Sequence, residues 1–486
     1  MSKEIRNLEP KALWNKFADL NAVPRPSKKE DRVIEFMKNF GNSLGLETFE
    51  DEIRNVIIRK PATVGMENRK VIVLQGHLDM VHQKNADTNF DFDTQGIDMY
   101  VDGDWVRARG TTLGADNGLG VAMIMAILES KDIAHPAIEA LFTIDEETGM
   151  TGALNLKGGI LKGEILLNMD TEEDDEIDIG CAGGIDVTAI RSYEEEEPLE
   201  GSVGYTITVK GLKGGHSGMD IHKGLGNANK IMNRLLFDGF ENYGLIVSEI
   251  NGGSLRNAIP RESVAKVIIA GMYDEAYVFD MQEIIRDIKS EYKTTDPNLT
   301  IEIVKSDLPK KVMDVGVQEG ILRSIYTAHN GVYRMSADME DLVETSNNIA
   351  RVIFKDGKIS IGCLTRSSVE SSKFDLANAL RSAFELCGCE VDFSGSYPGW
   401  KPNVKSEILD VLVNVYEKQN NEKPKVVACH AGLECGILGT NYPDVDMISF
   451  GPTIQGAHSP DERASIKSSQ KFWNFVLEIL KNIPVK

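Results

Sequence analysis

Apolar positions along this chain switch between two periods. Val33, Ile34, Phe36, Met37, Phe40 and Leu44 recur at helical spacing after the turn signal Pro26-Ser27, which puts one apolar face on a helix. The unbroken apolar run Val71 to Leu74 then reads as a buried strand. Leu119 to Leu128 predicts a buried helix, and Ile138 to Ile144 and Ile165 to Met169 predict two more strands. Strands and helices that alternate in this way build a mostly parallel sheet with helices on its faces.

The pattern changes after Asp186, where the charge run Glu194 to Glu197 and Pro198 mark a solvated connector. From Gly204 the expected order is strand (Tyr205 to Lys210), helix (Asn227 to Phe237), strand (Leu245 to Ile250), strand (Ser263 to Ala270), helix (Ala276 to Tyr292) and strand (Leu299 to Val304). That is a β-α-β-β-α-β unit. A helix at Gln318 to Ala328, a strand pair about the Asp356-Gly357 turn, a helix at Phe374 to Leu386 and a strand at Glu390 to Phe393 predict a second, incomplete copy. The first texture returns from Val404, with a helix to Tyr416, strands at Lys425 to Ala428 and Asp446 to Phe450, and an amphipathic helix near Lys471 to Leu480. The expected fold class is α/β: a discontinuous catalytic domain of residues 1–186 and 397–486 with a mostly parallel sheet, interrupted at residues 187–396 by an α+β domain of doubled ferredoxin-like type.

A chain of 486 residues exceeds what one hydrophobic core organises, which agrees with more than one domain. Lys+Arg 53 against Asp+Glu 75 leaves a formal net charge of −22, a field that repels nucleic acid and anionic membrane. The six cysteines, Cys181, Cys363, Cys387, Cys389, Cys429 and Cys435, show no paired CxxC spacing. Cys387-Gly388-Cys389 is too tight for an ordinary disulfide frame, so reduced thiols are expected. The opening MSKEIRNLEPKALWNKF lacks the apolar core of a signal peptide, and no apolar run is long enough to span a bilayer. A cytoplasmic enzyme without nucleic-acid or membrane partners is the simplest reading.

Chemistry-bearing residues stand where the expected strands end. His77 and Asp79 follow Val71 to Leu74, Glu146 and Glu147 follow Ile138 to Ile144, Asp170 follows Met169, and His458 follows Asp446 to Phe450. Asp116 stands at a helix start in Gly114-Ala115-Asp116-Asn117-Gly118. In open α/β sheets, sites assemble at the carboxyl edge of the strands. The imidazoles of His77 and His458 with the carboxylates of Asp116, Glu147 and Asp170 suit a pair of zinc ions, because charge is largely neutralised while positions stay open for water and substrate. One carboxylate must then bridge. Asp79 is placed to orient His77 by accepting its other ring N–H. Glu146 and Glu147 are neighbours that divide labour, one binding metal and the other moving protons. Singly, each residue has a plainer reading: Asp116 as an N-cap, Ser459 with Glu462 as a capping box, Asp170 as the head of an acidic run, each histidine as a packed or surface group. Their joint placement at element ends beside glycines favours the metal site.

GHLDMV, GADNGLGVA, DEETGMTGA, NMDTEE and GAHSPDE resemble the metal and catalytic motifs of the dinuclear-zinc peptidases and deacylases, the family that includes carboxypeptidase G, acetylornithine deacetylase and the carnosinases. Within it the chain looks most like the cytosolic aminoacyl-histidine dipeptidases. The resemblance implies that Asp116 bridges the two zinc ions, that His77 and Asp170 complete one site, that Glu147 and His458 complete the other, and that Glu146 is the general base. It also implies that the inserted domain is a lid. KGLKGGHSGMDIHKGLGNAN is similar to the segment that opens that lid, with His216 matching the histidine that polarises the scissile carbonyl, although its glycines also read as a plain turn. GGSLRNAIP resembles the segment whose asparagine, Asn257, helps hold substrate. Arg366 in LTRSS matches an arginine that clamps the substrate's terminal carboxylate, a task suited to a guanidinium fork, while Leu364 stands where relatives often carry an acidic residue. Gly432, Leu433 and Glu434 occupy the substrate loop, with Glu434 a candidate partner for a free amino group.

The implied activity is metal-dependent hydrolysis of dipeptides with broad specificity, including Xaa-His dipeptides such as β-alanyl-histidine, by a zinc-bridged hydroxide. The implied cofactors are two Zn2+ per chain, with Mn2+ or Co2+ as substitutes. The implied partner is a small peptide substrate; a doubled lid lets the same chain supply His216, so the chain is expected to act as a monomer or homodimer. An N-acyl amino acid deacylase on the same scaffold and a non-catalytic, metal-stabilised binding protein are the competing readings. Retention of every ligand and of Glu146 argues against the second of these.

Overall fold

The computed structural model describes residues 4–486. Its chain divides into two compact units, one of Met1–Gly180, Trp400–Ala428 and Leu433–Lys486, the other of Cys181–Gly399 and Cys429–Gly432. The first unit opens with α1 (Lys11–Leu20), α2 (Asp31–Ser43), β1 (Glu47–Glu50), β2 (Val56–Lys60), β3 (Ile72–His77), α3 (Ala115–Glu129), β4 (Ile138–Thr143), β5 (Ile165–Asn168) and β6 (Glu176–Cys181). The second unit carries β7 (Gly183–Ser192), β8 (Ser202–Lys210), α4 (Ala228–Tyr243), β9 (Ile246–Gly252), β10 (Ser263–Ala270), α5 (Asp274–Glu291), β11 (Thr300–Ser306), α6 (Val315–Thr327), β12 (Val343–Lys355), β13 (Lys358–Ser367), α7 (Glu370–Glu385) and β14 (Glu390–Tyr397). The chain returns to the first unit with α8 (Glu407–Asn420), β15 (Lys425–Cys429), α9 (Glu434–Asn441), β16 (Asp446–Ser449) and α10 (Ile466–Lys481). Among the described residues, no helix is long and apolar enough to cross a membrane.

An eight-stranded sheet in the order β1-β2-β4-β3-β5-β16-β6-β15 forms the centre of the first unit. Its middle strands β4, β3, β5 and β16 are parallel, whereas β1, β2 and β6 pair antiparallel. The expected mostly parallel sheet is therefore a mixed one. The link between β1 and β2 is too short for a crossover, which leaves only antiparallel pairing. Every residue of β3, β4 and β5 is buried, as befits strands covered on both faces. Helix α3 begins at Ala115, ahead of the expected Leu119, and is buried from Asn117 to Leu128, the all-round apolarity of a helix laid across a sheet. Each such buried aliphatic side chain contributes roughly 1.5–3 kcal/mol.

The second unit is built on a nine-stranded antiparallel sheet, β11-β8-β10-β9-β12-β13-β7-β14, with Gly331–Met335 pairing to β12. β8-α4-β9-β10-α5-β11 is one complete β-α-β-β-α-β copy. The copy that looked incomplete is completed by β7, which runs between β13 and β14. The whole first copy is thus inserted between β7 and α6 of the second. The expected boundary after Asp186 falls inside β7, and the units divide at Gly180/Cys181 and Gly399/Trp400. β7 follows β6 almost without a break, so its sequence reads as the tail of the preceding domain. Leu235 of α4, Tyr277 of α5, Ile321 of α6 and Leu376 of α7 join one core with Tyr205 and Ile207 of β8 and Phe354 of β12.

Candidate functional site

Loops at the carboxyl ends of parallel strands converge in the first unit. His77, the last residue of β3, is fully buried. Its Nε2 lies 3.1 Å from Asp116 Oδ1 and 3.6 Å from Asp170 Oδ1. His458 Nε2 lies 3.2 Å from Asp116 Oδ2 and 2.9 Å from Glu147 Oε2. Asp116 therefore offers one carboxylate oxygen to each imidazole. Ligand atoms of His77, Asp116 and Asp170 fall within 4.8 Å of one another, as do those of Asp116, Glu147 and His458. His458 stands at φ 63° on the turn of a hairpin between Ile454–Gln455 and Arg463–Ser465, so it reaches the cluster from a smaller four-stranded sheet rather than directly from the end of β16.

The protonation pattern shows what this cluster requires. Burial pulls His77 down, yet the charge of Asp170, followed by Asp116 and Asp79, holds it well above its usual value. Hydrogen bonds to Asp116 and Glu147 lift His458 to about 11. Burial pushes Asp170 up to about 6 over the opposing pull of His77. Against the push of burial, His458 and His77 keep Asp116 well below the carboxylate range. Glu147 Oε1 and Asp170 Oδ1 are buried without a hydrogen-bond partner. Three crowded carboxylates, two of them with an orphaned oxygen, require positive charge, and divalent cations held by imidazole and carboxylate ligands fit that requirement.

Glu146 and Glu147 open the one-turn helix Glu146–Gly149 behind Asp145 at φ 53°. Asp79 fixes that turn: Oδ1 accepts the Glu146 N–H at 3.0 Å, and Oδ2 accepts the Glu147 N–H at 3.3 Å and the Ser27 hydroxyl at 2.8 Å. Asp79 Oδ1 also lies 3.4 Å from His77 Nδ1, whose N–H side faces the Asp79 carbonyl at 3.2 Å. One carboxylate therefore sets both the ring and the turn, whereas the sequence suggested only the ring. Burial raises Glu146 well above the usual glutamate value, and Asp170, Glu434 and Glu147 add to the rise over the downward pull of His77.

Two further residues shape the cluster and were not foreseen. Glu462 is 2% exposed; Oε2 accepts the N–H groups of Leu113 at 2.7 Å and Gly114 at 3.0 Å, and Oε1 those of Ala115 at 2.7 Å and Asp116 at 3.3 Å. The capping-box reading of Ser459 and Glu462 is thereby corrected, since α10 is capped by Ser465, whose side chain accepts from Ser468 N. Asp116 is likewise no N-cap: Gly114 holds that position and the Asp116 carboxylate faces the imidazoles. Arg25, 1% exposed, donates to the carbonyls of Leu78 at 3.1 Å, Asp79 at 3.0 Å and Gly114 at 2.5 Å. It ties the loop after β3 to the loop before α3. Burial draws Arg25 down to about 10 against the pull of Glu462, Asp79 and Asp116.

Glu434, at the start of α9, is fully buried. Its Oε2 accepts from Gln75 Nε2 at 2.5 Å and Thr143 Oγ1 at 2.7 Å, while Oε1 has no hydrogen-bond partner. Burial pushes this carboxyl up to about 7.

The second unit brings His216 and Asn257 together. His216 pairs with Ala258 in a short ribbon, and Ser217 N donates to the Asn257 carbonyl at 2.8 Å. Asn348 of β12 anchors that ribbon by donating to the carbonyls of Arg256 at 3.1 Å and Ala258 at 2.8 Å. His216 Nδ1 accepts N–H groups of Gly218 at 3.3 Å and Met219 at 3.1 Å, which puts the ring proton on Nε2. Burial and then Arg366 lower the His216 pKa, favouring that neutral tautomer. Arg366 is 4% exposed, donates from Nη1 to Tyr397 Oη at 2.8 Å, and keeps a buried Nε without a partner. Gly432 closes the segment Cys429–Gly432, in which His430 Nε2 meets Ser346 Oγ at 2.8 Å.

A family model for peptidase family M20/M25/M40 matches residues 73–482. The chain is similar to the cytosol non-specific dipeptidase of Escherichia coli (strain K12), 42% identical over 486 residues that cover 99% of this chain and 100% of that one. It is also similar to the crystal structure of aminoacylhistidine dipeptidase from Vibrio alginolyticus, with a TM-score of 0.94 and 42% identity over 100% of this chain and 99% of that one. The structure of aminopeptidase PepT from Bacillus cereus shares the fold, with a TM-score of 0.58 at 16% identity over 98% of this chain and 99% of that one. Matched over most of its length, the chain belongs to peptidase family M20/M25/M40 and is a hydrolase.

Proposed function

We propose that this peptidase hydrolyses dipeptides with broad specificity, Xaa-His dipeptides such as β-alanyl-histidine among them, using two zinc ions per chain. The observation that carries the reading is Asp116, whose two oxygens face the two imidazoles that each head a ligand triad. His77, Asp116 and Asp170 would hold one ion, and Asp116, Glu147 and His458 the other. The names of the relatives, a cytosol non-specific dipeptidase and an aminoacylhistidine dipeptidase, support the substrate class and a cytoplasmic location.

Ions held there supply Lewis-acid polarisation of a carbonyl and make bound water more acidic. Glu146 takes a proton from the attacking water and returns it to the departing amine, a role its raised pKa favours. His216, with its proton on Nε2, donates to the developing oxyanion. Asn257, on the same ribbon, and Gly432 contribute to holding the substrate. The Arg366 fork takes the terminal carboxylate, for which its unpartnered Nε is suited. Glu434 Oε1 accepts from the free amino group. Because the doubled insert lets one chain supply His216, either a monomer or a homodimer is compatible with activity, and the net charge of −22 argues against nucleic-acid partners.

A panel of dipeptides and N-acetyl amino acids, run on protein of known metal content, tests the reading. β-Alanyl-histidine and ordinary dipeptides should be cleaved faster than N-acetyl amino acids, and a chelator should abolish turnover until zinc is returned. Faster cleavage of N-acetyl amino acids would make the enzyme a deacylase, and no cleavage by the metal-loaded protein would remove the activity altogether.

A further inference from the structure

The second unit holds a thiol pair with no part in the proposed hydrolysis. Cys387, Gly388 and Cys389 form the turn between α7 and β14, with Gly388 at φ 78°. The two Sγ atoms lie 3.6 Å apart, in contact and facing each other, against about 2.05 Å for a disulfide bond. Cys387 and Cys389 are only 8% and 6% exposed, yet Leu386, Gly388 and Glu390 beside them are exposed, so the pair lies just beneath the surface. Arg191 of β7 packs on this turn: its Nη1 donates to the Cys387 carbonyl, and its guanidinium stands 3.4 Å from where a Cβ on Gly388 would lie. The backbone is pinned as well, since Phe384 O accepts the N–H groups of Cys387 at 3.2 Å and Cys389 at 3.1 Å. The same carbonyl lies 3.0 Å from Cys387 Sγ and can accept its proton while the thiol is protonated.

The two sulfurs differ in acidity. The Cys389 hydrogen bond draws Cys387 down to about 6 against the push of burial, with Ser324 and the charge of Arg191 adding to the fall, while the same hydrogen bond and burial push Cys389 up. Cys363, fully buried elsewhere in the unit, is pushed up to about 12 by burial, as an inert core thiol is.

We propose that Cys387 and Cys389 form a thiol–disulfide exchange site for low-molecular-weight disulfides, with Cys387 the attacking thiol and Cys389 the resolving one. With glutathione disulfide as the reagent, the Cys387 thiolate attacks one sulfur. A bond forms from Cys387 Sγ to that sulfur, the reagent's S–S bond breaks, and one glutathione leaves as a thiolate that takes up the proton Cys387 gave up. Cys389 then loses its proton and attacks Cys387 Sγ, forming the intramolecular bond and releasing the second glutathione. The protein gives up two electrons and two protons, and the reagent gains both. The ring so closed spans a single intervening residue; its tightness makes the bond easy to reduce and the exchange reversible.

The test uses the full-length, metal-loaded protein in mixtures of reduced and oxidised glutathione, followed by acid quench, alkylation with N-ethylmaleimide and peptide mass mapping. Cys387 and Cys389 should lose alkylation together and regain it on reduction, while Cys363 stays alkylated throughout. Cys389→Ser should accumulate a glutathionyl adduct on Cys387, and Cys387→Ser should lose that adduct. Two thiols that stay fully alkylated in the most oxidising mixture overturn the proposal. Equal adduct yield on Cys389 in Cys387→Ser overturns the assignment of the attacking thiol. The wild-type mapping needs no variant, and dipeptide turnover reports whether each variant is folded.

Discussion

The first unit crowds ionisable groups where its parallel strands end, whereas the second spreads a neutral polar network through its antiparallel sheet. His77, Asp116 and Asp170 hold one another's protonation far from ordinary values, and buried oxygens of Glu147 and Asp170 are still left unpartnered. In the second unit, Asn227 donates to Asn330 Oδ1 at 2.9 Å, Asn347 to the His329 carbonyl at 2.7 Å, and Asn348 to the carbonyls behind the His216 ribbon. Neutral amides hold backbone and side-chain groups in place and fix geometry without asking for a counter-ion. Uncompensated buried charge does ask for one. The contrast separates a cluster suited to cations from a frame that fixes backbone geometry.

That contrast can be broken in graded steps. Glu146→Gln should lower kcat by about 100- to 10,000-fold while metal content stays unchanged, because only proton transfer is removed; loss of bound metal in that variant would make Glu146 a ligand instead. His216→Ala should cost about 100- to 1000-fold in kcat, again with metal retained, as expected for one lost oxyanion donor. An unchanged kcat would remove the second unit from the chemistry. Glu462→Gln leaves the shape of the clamp on residues 113–116 but weakens it, and metal affinity, read by competition with a chelator, should fall about 10- to 100-fold. Unaltered affinity would mean that the Asp116 loop is held without it.

A further contrast concerns pH. Burial, then the charges of Arg366 and His216, draw His430 down to about 3 from its usual 6.5. Between those values the unfolded chain binds a proton that the folded chain refuses, so stability falls as pH drops from about 6.5 towards 3, by at most about 1.4 kcal/mol per pH unit from this group. Denaturant titrations of His430→Gln should lose that part of the slope. An identical slope would show that His430 is protonated in the folded protein.

Much of the candidate metal cluster was legible because the proposed ligands sit in short segments where residue type and strand ends coincide. His77, Asp116, Glu147, Asp170 and His458 each lie beside a glycine or a turn that a sequence displays directly. Arg25 and Glu462 were not legible, because their work is done on backbone groups: Glu462 grips residues 346 to 349 positions away, and nothing in SPDE or PRPS announces a distant carbonyl or N–H. The doubled insert was legible as a repeat, but β7 was not assigned to it, since pairing with β13 and β14 is a long-range fact. The sequence placed Glu434 on a substrate loop but gave no sign that Gln75 and Thr143 occupy one of its oxygens.

Metal stoichiometry set against turnover tests the central claim most directly. After chelation, zinc is returned stepwise to the wild-type chain and to Asp116→Asn, with bound metal measured by elemental analysis and β-alanyl-histidine hydrolysis measured in the same samples. Full turnover in the wild type should appear only as the second ion per chain binds, and Asp116→Asn should lose tight binding at both positions together. Full turnover at one ion per chain, or an Asp116→Asn protein that keeps two, would contradict it.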